Sequence, residues 1–185
     1  MPQLPDESSN VGRYMGGKGT VMNSYSDITQ YLIGTTRYSA FVLVDGVQYE
    51  RYYGEELQPQ PGVVIPFFST WPDSRIAFAG PWLIHLSADM SQYQKLRQLE
   101  SALPSVSWIA SELSSGDLVA HLQRFLNVSL PGGKTGLLRF WDPRVAKRLA
   151  LMLDEQQHED LLKNVEDWLY TVNGSTHSLK WRAAP

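Results

Sequence analysis

Residues 137–153, LLRFWDPRVAKRLALML, contain the transition on which the fold turns. An apolar run suited to a strand stops at Asp142-Pro143, and a helical pattern follows. Asp142 fits an N-cap, because its carboxylate can accept from amides that the first helical turn leaves unbonded. Pro143 fits the first helical position, where its missing N–H costs nothing and its φ is already helical. Beyond it, Val145, Leu149, Met152 and Leu153 are assigned to one face and Arg144, Lys147 and Arg148 to another. These cations lie near the positive end of the helix dipole, an unfavourable placement by up to about 1 kcal/mol per charge unless an anion compensates. Asp142 is one candidate counterion. Arg139 is placed in the preceding strand, so Arg139 and Arg144 are expected to bracket Asp142 or another carboxylate through bidentate bonds. The stretch is therefore read as a brace between strand and helix. An anion- or phosphate-handling enzyme site built on Arg139, Asp142 and Arg144 is the competing reading.

Outward from this corner, YSAFVLVDG (38–46) predicts a buried strand ending at an Asp-Gly turn signal. Further strands are predicted around GVVIPFFS (62–69), PWLIHLS (81–87), VSWIAS (106–111), GLLRF (136–140) and SLKWR (178–182), with Pro66 suiting an edge. Helices alternate with them. One is predicted in SDITQYLIG (26–34) with Ser26 as N-cap and Gly34 as stop. A second has Tyr93, Leu96, Leu99 and Leu103 as its buried stripe, and a third Leu118, Val119, Leu122, Phe125 and Leu126. A last helix starts at an Asp154/Gln157 capping box, runs Leu161, Val165, Trp168 and Val172 along one face, and stops at Asn173-Gly174. The pattern predicts an α/β fold: a single compact domain, a mixed β-sheet with helices packed on it, over residues 25–185, preceded by a flexible leader over 1–24.

The chain has 185 residues, 43% hydrophobic and 19% charged, with 6 Trp, 9 Tyr and 6 Phe. That length and composition suit one globular core. A net charge of −3 gives no general reason to bind nucleic acid. The start of the chain lacks a basic segment followed by an apolar one, and IAFAGPWLIHL (76–86) is too short and interrupted to span a membrane, so a cytoplasmic protein with no membrane partner is expected.

Motifs for catalysis are incomplete. HEDLL (158–162) has Leu162 where a zinc helix needs its second His, and PGGKTG (131–136) has Val128 where a phosphate loop needs its first Gly. No nucleophile elbow accompanies the four scattered His residues, so no catalytic residue, metal site or cofactor is assigned. In VQYERYYGEELQPQPG (47–62), Tyr49, Tyr52 and Tyr53 could anchor a partner by burying ring faces while their hydroxyls stay bonded, or could pack at a strand edge. With Trp141 they form the candidate partner-binding set.

GLLRFWDPRV (136–145) resembles the signature of the adaptor/chaperone family of bacterial type VI secretion, the Tap or TEC proteins. FVLVDG, GPWLIHL, WIASE and LVAHLQRFLNVSLPGG are similar to that family's other landmarks and stand in the same order, so the resemblance covers about residues 28 to 170. Matched to the motif, Asp45, Gly46, Pro81, Arg139, Phe140, Asp142, Pro143 and Arg144 are its signature positions. The resemblance implies a cytoplasmic, non-enzymatic protein that binds a toxin effector and helps load it onto the VgrG spike without a cofactor. Many members continue into a helical C-terminal lobe, whereas this sequence ends soon after SLKWR, so effector contact is expected of the α/β lobe alone. A toxin-neutralising immunity protein is a lesser alternative.

Overall fold

The computed structural model describes Ile28, residues 37–70 and residues 72–180. The leader, most of the 26–34 helix and the end of SLKWR lie outside the described residues; Ile28 itself is helical and fully buried. Six strands form one sheet in the order β2-β3-β1-β4-β7-β8. They are β1 (Ser39–Asp45), β2 (Val64–Pro66), β3 (Pro81–His85), β4 (Val106–Ser111), β7 (Val165–Val172) and β8 (Ser175–Ser178). The α/β class, with helices packed on a sheet, agrees with the sequence. The mixed pairing does not: among the described strands every pairing is antiparallel.

β1 sits near the centre because residues 40–44 are apolar without a break, as burial on both faces requires. Phe41 and Leu43 enter one core with Leu83, Ile109, Trp168 and Tyr170. Ala40, Val42 and Val44 enter the other with Trp82, Ile84 and Trp108. Helices cover both faces. On the second core lie α1 (Gly46–Tyr53), through Tyr49, and α2 (Tyr93–Ala102), through Leu96 and Leu99. On the first lie α3 (Ser115–Gln123), α4 (Pro143–Met152) and α5 (Glu155–Leu161). A 3₁₀ segment, Asp73–Ala79, leads into β3.

Three expectations change. The run from Val165 to Val172 is a strand, because it feeds both cores in alternation, Trp168 and Tyr170 one way and Leu169 the other. A strand buried on both faces loses the simple two-residue period, and its apolar spacing can then mimic a helix. Asn173-Gly174 is accordingly a hairpin tip, with φ of 53° and 74°, not a helix stop. The terminal strand is displaced to Ser175–Ser178 in consequence. Finally, the GLLRF strand shrinks to β6 (Lys134–Leu137), which pairs only with β5 (Asn127–Leu130) in a hairpin outside the main sheet. Its tip carries Gly132 and Gly133 at φ 78° and 73°, which accounts for the glycine pair. Arg139 therefore lies beyond the strand, in the link to α4.

Among the described residues, no helix is long and apolar enough to cross a membrane, and no group of three His, Cys, Asp or Glu side chains could hold a metal ion.

Candidate functional site: the aspartate–arginine corner

Asp142 caps α4 as its sequence requires. Its Oδ1 accepts from the Arg144 amide at 2.9 Å and from Arg144 Nε at 3.0 Å, and its Oδ2 accepts from Arg144 Nη2 at 2.7 Å. Burial pushes the Asp142 carboxyl up, but the bonds from Arg144 and the charges of Arg144 and Arg139 outweigh it and hold the group below the usual aspartate value. The same pairing raises Arg144 above the ordinary arginine value. Pro143 occupies the first helical turn and is buried.

Arg139 pairs elsewhere. Its Nη2 donates to Asp45 Oδ2 at 3.0 Å, across 94 residues of sequence. The Asp45 side chain is 1% exposed and the Arg139 side chain 47% exposed, so the pair reaches from the core to the surface. Asp45 Oδ1 also accepts from the Gln48 amide at 3.2 Å, making Asp45 the N-cap of α1. The Asp-Gly pair is thus a helix start and not a tight turn. The expectation that two arginines flank a carboxylate resolves into two carboxylates with one arginine each.

Close packing fixes the rest of the corner. The Gly46 amide donates to Gly80 O at 2.9 Å, and a Cβ on Gly46 would lie 2.0 Å from Phe78 O and 2.9 Å from Trp82 Nε1. A Cβ on Gly80 would strike the Phe68 ring at 2.4 Å. Pro81 starts β3 opposite Asp45, and its carbonyl accepts from the Phe67 amide. Phe140 is fully buried, with its ring edge-to-face against Phe67 and Trp168. Trp141 stands edge-to-face with Phe68 and Phe140, while the Arg139 guanidinium lies 5.7 Å from its ring centroid.

Trp141 is 2% exposed, so it is a core residue beneath Arg139 and not an outward anchor. The tyrosines divide. Tyr49 is buried, with its hydroxyl 3.5 Å from Glu55 Oε1, and Tyr53 is half-buried, donating to Lys95 O at 2.7 Å. Burial raises both phenols above the ordinary tyrosine value. Only Tyr52 of the three is exposed, and it borders an open groove of about 560 Å³ between α1 and α2, shared with Tyr93, Gln94, Arg97 and Gln98. This α1–α2 groove was not visible as a site in the sequence, where residues 47–53 lack a clear helical stripe.

The geometry neutralises both guanidinium groups with carboxylates. Arg144 also lines a cavity of about 210 Å³, whose wall is made by Glu100, Pro104, Thr171 and Asn173 and includes neither Asp142 nor Arg139. Two histidines act as ties: His121 Nε2 lies 2.9 Å from Leu161 O, joining α3 to α5, and His158 Nε2 lies 2.8 Å from Leu179 O.

A three-layer antiparallel α/β domain closed by a corner of this kind defines a braced scaffold. Residues 40–160 match the family model described as domain of unknown function DUF4123, and the chain belongs to that family, the type VI secretion effector adaptor (Tap/TEC) family that its signature resembles. No curated protein and no solved structure matches the chain.

Proposed function

We propose that this chain is a non-enzymatic, cytoplasmic adaptor of type VI secretion that binds a cognate toxin effector and helps load it onto the VgrG spike. Membership of the adaptor family over residues 40–160, a span that contains every signature position, carries the reading. The corner geometry supports it, since the conspicuous charges brace two helix starts and leave neither arginine without a counterion. An effector needs an outward surface. The groove beside Tyr52 offers one, combining an exposed aromatic ring with polar side chains that can exchange water for partner bonds. Such binding requires no cofactor.

The test is co-purification of the full chain with the toxin encoded beside it and with VgrG. Capture of the toxin is the expected result, with Tyr52→Ala weakening it roughly tenfold, the loss of one aromatic anchor, while circular dichroism stays unchanged. A folded chain that retains neither toxin nor spike protein overturns the proposal. Toxin activity is measured alongside: an adaptor leaves it intact, whereas abolition by this chain would assign it an immunity role.

A further inference from the structure

We infer that the outer faces of α4 and α5 form a self-association surface that pairs two copies of this chain about a two-fold axis at Leu151 and Met152. The inference does not depend on the adaptor reading.

The two helices are consecutive, joined only by Leu153 and Asp154. Ala146 and Leu149 of α4 and Leu161 of α5 are buried in the same core, so both helices turn their inner faces to one side of the sheet. Their outer faces point away from that core together. On α4 the exposed residues are Arg144, Lys147, Arg148, Leu151 and Met152, at the spacing of a single helical face. On α5 they include Glu155, Gln156, Glu159 and Asp160.

Read along the chain, this surface is basic, then apolar, then acidic. Leu151 is 78% exposed and Met152 76%, the highest values for large apolar side chains among the described residues. Among those residues Lys147, Arg148, Glu155 and Glu159 have no ion-pair partner. Arg148 and Glu155, both among these unpaired charges, lie equally far in sequence from the Leu151–Met152 pair.

A two-fold contact requires a patch complementary to itself. Reversing one copy over another about Leu151–Met152 sets the basic half of each α4 against the acidic half of the other α5, with the apolar pair at the centre. A head-to-head contact without reversal would set like charges together. The occupant that this patch fits is therefore a second copy, since both charge signs and the apolar anchor are present in one chain.

Sedimentation velocity and light scattering on the full chain provide the test. At low salt and high micromolar concentration the expected mass is twice 20.9 kDa, falling toward one chain as salt is raised. Lys147→Glu with Arg148→Glu, or Glu155→Lys with Glu159→Lys, should each weaken association by roughly tenfold or more. Mixing these two doubly reversed variants should restore a dimer containing one of each. All four side chains are exposed, and a far-ultraviolet spectrum checks that each variant folds. A wild-type chain that stays at 20.9 kDa, a dimer indifferent to charge reversal, or variants that fail to pair when mixed would each overturn the inference.

Discussion

Two arginine–aspartate pairs of the same chemistry sit on one corner and do different jobs. Arg144–Asp142 closes within two residues: it shapes the first turn of α4, and the hydrogen bonds between the two side chains reach no other element. Arg139–Asp45 joins residues 94 apart and ties the end of a central strand to the link before α4. The local pair can form as soon as its helix does, whereas the distant pair exists only in the finished topology. Their exposures differ too. Each arginine is about half exposed, but Asp45 is more deeply buried than Asp142, so the carboxylate left behind by a lost arginine is harder to rehydrate at position 45.

The largest effect should come from Gly46→Ala, which drives a methyl group onto Phe78 O and against Gly80 O and Trp82 Nε1. A loss of roughly 4 kcal/mol in urea unfolding is expected, with poor soluble yield as its correlate. Arg139→Met should follow, costing about 3 kcal/mol, because Asp45 is stranded in the core with the Gln48 amide as its one remaining side-chain hydrogen-bond partner among the described residues. Arg144→Met should cost less, about 1 to 2 kcal/mol, since Asp142 keeps the Arg144 backbone amide and sits nearer water. Equal losses for the two arginines would remove the distinction drawn between local and distant pairs.

A double-mutant cycle sharpens it further. The charge of Arg139 reaches Asp142 and that of Asp45 reaches Arg144, so the two substitutions should depart from additivity by about 0.5 kcal/mol. The smallest effect is in pH. Asp142 is held below its unfolded value, so its contribution is complete above about pH 4 and declines as pH falls from there through the folded value. Urea melts between pH 7 and pH 3 should show this acid loss in the wild type and a shallower one in Arg144→Met.

The parts of the fold written in local chemistry were legible. Asp142 as cap, Pro143 after it, the Asp154/Gln157 capping box and the Leu96/Leu99 stripe all depend on residues within one or two turns. β1 and β4 were legible as uninterrupted buried runs. What escaped is non-local. Nothing near Arg139 points to Asp45, because the sheet order that brings them together is a property of the whole chain. β7 was misread because two cores share its side chains. One signal was present and missed: Asp45 and Gln48 repeat the Asp-x-x-Gln spacing of Asp154 and Gln157, and that spacing marks α1 as a helix start. Of the candidate partner residues, the sequence could not separate exposed Tyr52 from buried Tyr49 and Trp141, since rings of similar type serve both roles.

The 94-residue reach of the Asp45–Arg139 pair has a consequence for biosynthesis. As the polypeptide leaves the ribosome, the acid at position 45 emerges long before its guanidinium does. Until residue 139 has been made, any early assembly of the amino-terminal strands must leave that carboxylate hydrated or repay its dehydration without the arginine. Translation that stops short of residue 139 should therefore yield a product readily cleaved by protease, and resistance should appear only once Trp168 and Tyr170 of β7 have joined the core as well.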